Sequence, residues 1–143
     1  KSSKISILGW AFKKDTNDTR ESASIYIARN LLLKGFKIDI YDPLVPKEKI
    51  LDNIRTCLKE INVNQNEILN MISKVSISSS VEACLISAKS ISICTEWEEF
   101  KEVDWKKIYK IVDKDCMILD GRNILNLKQI KKIGFKIYSL GRP

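Results

Sequence analysis

Six short strand-like runs, Lys4–Leu8, Lys37–Tyr41, Lys74–Ile77, Ser90–Cys94, Cys116–Leu119 and Lys136–Ser139, alternate with stretches whose apolar residues recur at helical spacing. Helices are expected over Glu21–Lys34, Lys47–Lys59, Ser80–Ala88, Asp104–Val112 and Leu127–Ile133. Thr19 or Ser22 is expected to cap the first, and Gly35 and Gly134 stop the first and the last. Such alternation leaves little choice of architecture, because parallel strands need helical crossovers between them. The expected fold class is α/β: a doubly wound, mainly parallel six-stranded sheet, Rossmann-like, in the order 3-2-1-4-5-6. β-branched and aromatic residues dominate the runs, as in a sheet covered on both faces. At 143 residues the chain is one domain long, enough to bury roughly 70% of its unfolded surface.

The first run leads into Gly9-Trp10-Ala11-Phe12-Lys13-Lys14-Asp15-Thr16-Asn17-Asp18-Thr19-Arg20-Glu21-Ser22, a loop bearing three cations ahead of a helix. A strand's carboxyl end beside a helix N-terminus is where open parallel sheets receive anions, phosphate above all. Trp10, Ala11 and Phe12 stand where the dinucleotide fingerprint needs further glycines, so side chains rather than backbone must hold the guest. The expected strand order opens a crevice between strands 1 and 4. Thr95-Glu96-Trp97 and Asp120-Gly121-Arg122-Asn123 converge there with the opening loop.

Each residue on this edge has a structural reading beside the functional one. Lys13 and Lys14 bind a ligand or are solvated; Arg20 binds a ligand or pairs with Asp15 or Asp18. Glu96 is expected to accept hydrogen bonds from the loop and Trp97 to pack as a lid, with Trp10 and Trp105 in the core. Asp42-Pro43 ends the second strand, and a ribose contact for Asp42 is the weaker alternative.

Composition removes several classes of function. There is no histidine, which excludes Ser-His-Asp and Cys-His chemistry. Cys57, Cys84, Cys94 and Cys116 form no close pair, so they are expected as reduced, buried thiols and not as a zinc site. Net charge is +7, but the lysines are scattered among acids, which favours a solvated surface over nucleic-acid binding. No apolar run approaches the roughly 20 residues of a membrane span. Lys1-Ser2-Ser3-Lys4 carries no signal-peptide pattern, so the chain reads as cytosolic or as a piece of a longer one, the second being preferred. The asparagine-rich stretch from Glu60 to Ile72 is expected as an exposed, mobile and functionally quiet insertion.

In this order and spacing, the segments Ile7–Ser22, Ile40–Pro43, Ile93–Trp97 and Asp120–Arg122 resemble the C-terminal, UDP-binding domain of the UDP-glucose/GDP-mannose dehydrogenase family, its UDP-glucose 6-dehydrogenases in particular. Asn17 and Asn123 depart from the family's usual residues without removing a charge at Lys13, Arg20 or Arg122. The resemblance implies oxidation of the C6 alcohol of UDP-glucose to the carboxylate of UDP-glucuronate, with two NAD reduced in turn and an enzyme-bound thioester on the way. It makes residues 1–143 the UDP-sugar-binding domain of a larger dehydrogenase. The NAD-binding N-terminal domain, a central helix and the catalytic cysteine then lie elsewhere, leaving no catalytic residue and no metal here.

By the same resemblance Phe12, Lys13 and Arg122 match substrate-binding positions, and Arg20 matches one that meets NAD. The implied partners are UDP-glucose, NAD, the protein's own N-terminal domain and further copies in a homo-oligomer. The implied setting is cytoplasmic, without nucleic acid or membrane. A related nucleotide-sugar dehydrogenase, acting on a UDP-N-acetyl sugar or GDP-mannose, and a non-catalytic nucleotide-binding module are the alternatives.

Overall fold

Each apolar run becomes a strand in the computed structural model, which describes residues 3–140; Lys1 and Ser2 of the charged lead-in lie outside the described residues. The elements are β1 (Lys4–Leu8), α1 (Ala23–Leu33), β2 (Lys37–Tyr41), α2 (Lys47–Glu60), α3 (Gln65–Ile72), β3 (Val75–Ile77), α4 (Val81–Leu85), β4 (Ser90–Ile93), α5 (Glu98–Lys101), α6 (Trp105–Tyr109), β5 (Met117–Asp120), α7 (Leu127–Ile133) and β6 (Lys136–Ser139). All six strands pair in parallel, in the expected order β3-β2-β1-β4-β5-β6.

Short polar side chains start most of the helices. Ser22 caps α1, and Asn64, Ser80, Asp104 and Asn126 cap α3, α4, α6 and α7, each accepting a backbone N–H of the first turn. After α1 the chain turns at Gly35, φ +87°, with Phe36 N–H bonded to Leu31 C=O and Gly35 N–H to Leu32 C=O. That double closure needs a left-handed residue, and glycine takes it without a Cβ penalty.

Four segments differ from expectation: α5 lies where no helix is expected, and the helix expected over Asp104–Val112 ends at Tyr109 as α6. The asparagine-rich stretch is mostly exposed, as expected, but it is not a plain loop: Asn64 accepts the Glu67 N–H at 2.9 Å, Glu67 accepts from the Asn64 amide, and α3 follows with Ile68 buried. An N-cap with an acid three residues on is a helix start, and it outweighs the polar composition. The helix expected over Ser80–Ala88 is also shorter, because Ile86 leaves helical geometry and Ser87 turns to φ +60°.

Register explains which surface is open. Asp39, Ser6, Ile91, Ile118 and Ile137 stand side by side across one face and are all buried. Ile40, Ile7, Ser92, Leu119 and Tyr138 cross the other face, where exposure climbs from nil at Ile40 and Ile7 through 9% at Ser92 to 40% and 59% at Leu119 and Tyr138. Right-handed crossovers cause this: those leading to β2 and β3 lie over one half of the second face, while those leading to β4, β5 and β6 all lie on the first. The expected cover on both faces therefore holds for β1 and β2 but not for β5 and β6. Among the described residues no helix is long and apolar enough to cross a membrane.

Candidate functional site

The carboxyl ends of β1, β4 and β5 meet at the reversal of strand order. Gly9 leaves β1 at φ +97°, donates its N–H to Tyr41 C=O at 2.8 Å, and passes so close to Thr95 that no side chain fits between them. From there the backbone is fastened group by group. Trp10 and Ala11 donate their N–H groups to Asp42 Oδ2 at 2.7 and 3.0 Å. The carbonyls of Gly9, Trp10 and Ala11 accept from Ser24 Oγ, Ser22 Oγ and Thr95 Oγ1, each at 2.8 Å. Phe12 N–H donates to Asp18 C=O at 2.7 Å, and Phe12 C=O accepts from Arg122 Nη2 at 2.5 Å. Every backbone polar group from Gly9 to Phe12 thus has a protein partner, and none is left for a phosphate. An anion here meets side chains, as the missing glycines imply.

Of the loop's cations, Lys14 Nζ lies 3.9 Å from Glu98, and Arg20 forms a forked pair with Asp18, at 2.8 to 3.2 Å. The Arg20 pair is with Asp18 and not Asp15, with Arg20 exposed and Asp18 half-buried. Hydrogen bonds from Arg20 hold the Asp18 carboxyl well below the usual carboxylate range. Lys13 is exposed and has no ion-pair partner among the described residues. It is the loop's uncommitted charge.

Arg122 joins three segments. Its Nε donates to Cys94 C=O at 3.0 Å, its Nη2 to Phe12 C=O, and its Nη1 lies 3.5 Å from Glu96 Oε2. Glu96 in turn accepts the Lys14 N–H at 2.7 Å, the loop contact expected of it. Buried Asp120 fixes the turn that presents Arg122, accepting the N–H groups of Arg122 and Leu125 at 3.1 and 2.9 Å. Phe12, Glu21, Ile27, Cys94, Leu119 and Arg122 are among the residues lining a cleft of about 360 Å³ beside this junction. Phe12 and Arg122 therefore come together at one opening, with Lys13 next in the chain to Phe12; Arg20 is not among the lining residues, although its neighbour Glu21 is.

Asp42 was not legible as what it is. Its Oδ2 accepts Trp10 N–H, Ala11 N–H and the Trp97 indole Nε1 at 3.1 Å, and its Oδ1 accepts Leu44 and Val45 N–H at 2.9 and 3.0 Å. A carboxylate has about four lone-pair directions, so none remains for a ribose hydroxyl. The weaker ribose alternative is corrected accordingly. The one available signal was an acid ending a strand at Asp42-Pro43, where proline breaks the ladder and frees the side chain to cap a turn. Trp97 is buried against this carboxylate, and Trp10 is wholly buried with its indole on Asn53 of α2 at 3.0 Å.

Burial pushes the thiols of Cys57, Cys84, Cys94 and Cys116 above their ordinary range, and none is disulfide-bonded. No group of three or more metal-ligating side chains occurs among the described residues.

A doubly wound parallel sheet with a cation-edged cleft at its reversal point is an α/β domain of the nucleotide-binding class. Residues 6–127 match the model of the UDP-glucose/GDP-mannose dehydrogenase family, UDP binding domain. The chain belongs to that family. It is 44% identical over 142 residues to UDP-glucose 6-dehydrogenase of Gallus gallus, covering 97% of this chain and 27% of that one. Among solved structures it resembles NDP-N-acetyl-D-galactosaminuronic acid dehydrogenase from Methanosarcina mazei Go1, at TM-score 0.74 and 25% identity, over 99% of this chain and 25% of that one. It also resembles UDP-D-ManNAc dehydrogenase from Pyrococcus horikoshii, at TM-score 0.68 and 27% identity, over 99% and 26% respectively. The chain spans about a quarter of the length of the relatives it matches.

Proposed function

We propose that residues 1–143 form the UDP-sugar-binding domain of a larger NAD-dependent UDP-glucose 6-dehydrogenase, which oxidises UDP-glucose to UDP-glucuronate with two NAD. The observation that carries this is the 44% identity to a UDP-glucose 6-dehydrogenase over nearly the whole chain. The open half-face at Leu119 and Tyr138 supports the larger assembly, since a parallel sheet is ordinarily covered on both sides. That surface is where the rest of the protein, or a further copy, would pack.

Within the domain, Lys13 brings a mobile point charge to the diphosphate and Phe12 an exposed ring to the nucleotide sugar. Arg122 keeps its two carbonyl bonds and turns Nη1, its loosest end, from Glu96 to the ligand. These groups position the substrate, so their contribution to rate is one of proximity. NAD would accept the hydride when bound. With the backbone from Gly9 to Phe12 engaged, the contact this chain offers it is the exposed Arg20 side chain. Four free thiols fit a cytoplasmic setting, and the reading includes a homo-oligomer that binds neither nucleic acid nor membrane.

The test is NAD reduction by the full-length protein on UDP-glucose, with two NAD consumed per sugar. The 143-residue chain should fold, bind UDP weakly and turn nothing over. Turnover by the chain alone, or none by the full-length protein on any nucleotide sugar, would refute the assignment. Activity on UDP-N-acetyl sugars and not on UDP-glucose would favour the second reading, to which the resemblance to the two amino-sugar enzymes points.

A further inference from the structure

Given the UDP-sugar-binding function proposed above, we infer that Asp42 is the positioning residue of the cleft, setting where Phe12 and Lys13 stand and so how tightly a nucleoside-diphosphate sugar is held. Its carboxylate gathers five N–H donors from the loops after β1, β2 and β4. It is 9% exposed and makes no ion pair among the described residues, so those N–H groups alone compensate its charge. Hydrogen bonds to an ionised acceptor are roughly twice as strong as neutral ones, and this acceptor holds three loops in one relation.

The position of the fastening decides its consequence. Ala11, whose N–H is bonded to Asp42, directly precedes Phe12 and Lys13, and the Lys13 side chain has no ion-pair partner among the described residues. The limb carrying Arg20 has fastenings of its own, the Asp18–Arg20 fork and Lys49 Nζ on Asn17 C=O at 2.8 Å, and is joined to the Asp42-held limb by Ser22 Oγ on Trp10 C=O and by Phe12 N–H on Asp18 C=O. Loss of the Asp42 charge therefore loosens the limb of Phe12 and Lys13 directly, and the limb of Arg20, which by resemblance meets NAD, only through its bonds to the first. Asp42→Asn has nearly the same shape, but only one oxygen accepts and its NH₂ confronts the N–H groups on the other side, leaving two or three donors unmatched.

In the full-length protein, Asp42→Asn should raise KM for UDP-glucose about tenfold or more while KM for NAD stays within about twofold. In the 143-residue chain, amide hydrogen exchange at Phe12, Lys13 and Lys14 should accelerate with no ligand present. An unchanged KM for UDP-glucose in a folded variant, or equal rises for both substrates, would overturn the inference. Should Asp42→Asn fail to fold, Trp97→Phe removes the indole donor alone; it should speed exchange at Trp10 and Ala11 and weaken UDP binding by about two- to fivefold. Unchanged exchange in that variant would equally overturn it. If the wild-type full-length protein reduces no NAD with any nucleotide sugar, the proposed function fails, and the ligand-free exchange still decides the role of Asp42.

Discussion

Gly9→Ala tests the close approach of the loops after β1 and β4. A Cβ on Gly9 would lie 2.4 Å from both Cβ and Oγ1 of Thr95 and 2.7 Å from its backbone nitrogen. Thr95 cannot swing aside, because it is fully buried and its Oγ1 is bonded to Ala11 C=O at 2.8 Å. The backbone adds a separate cost, since φ is +97° at this position. Left-handed backbone costs an L-residue about 1–2 kcal/mol and overpacking about 1–3, together about 2–5 kcal/mol. For a chain of this length that is a fall in Tm of roughly 8–20 °C. The assay is thermal unfolding of the 143-residue chain by circular dichroism under reducing conditions. Gly121→Ala is the control: its Cβ would meet Ile93 C=O at 3.0 Å without a positive φ, so about 1 kcal/mol is expected. Adding Thr95→Ala should not rescue Gly9→Ala, because the contacts to Cβ and backbone nitrogen remain. A Tm for Gly9→Ala within about 2 °C of the parent would refute the reasoning.

Ile68→Ala should cost about 2–4 kcal/mol in urea unfolding and Asn64→Ala about 1, whereas a mobile insertion would give no change for either. The cysteines should resist thiol reagents at pH 8 until the chain unfolds, as burial raises all four and pushes Cys116 up to about 12, Asp113 adding to the effect. Unfolded thiols ionise near pH 8.5, so the unfolded state sheds protons first and stability should decline as pH rises from there toward 12; a fast-reacting native thiol would contradict this. Arg122→Lys keeps the charge but cannot hold both carbonyls and turn an end to the ligand, so KM for UDP-glucose in the full-length protein should rise about tenfold, and an unchanged value would show that charge alone suffices.

The sheet was legible because its signal is local. Runs such as Ile5–Leu8 and Ile38–Tyr41 declare strands by themselves, and their alternation with helices restricts the order. The loops that converge followed from that order. Composition misled at α3, where asparagines suggested a loop although Asn64 and Glu67 are spaced as a cap and buried Ile68 and half-buried Ile72 as an inward stripe. Four-residue α5 is too short to show periodicity. Asp42 escaped for another reason: two of its donors, Trp10 and Trp97, lie 32 and 55 residues away, and only the finished sheet brings them together.

The reversal of strand order at β1 also governs how the molecule comes into being. β1, β2 and β3 pair in the order in which they are synthesised, so the first half of the sheet can assemble as the chain lengthens. β4 must come back past two formed strands to the vacant edge of β1, a distant pairing whose entropy cost delays it. Until then Asp42 has its backbone donors but not Trp97, and Phe12 lacks Arg122. The lysine loop is thus synthesised before the opposite wall, and the cleft is complete only once β4 and β5 have docked.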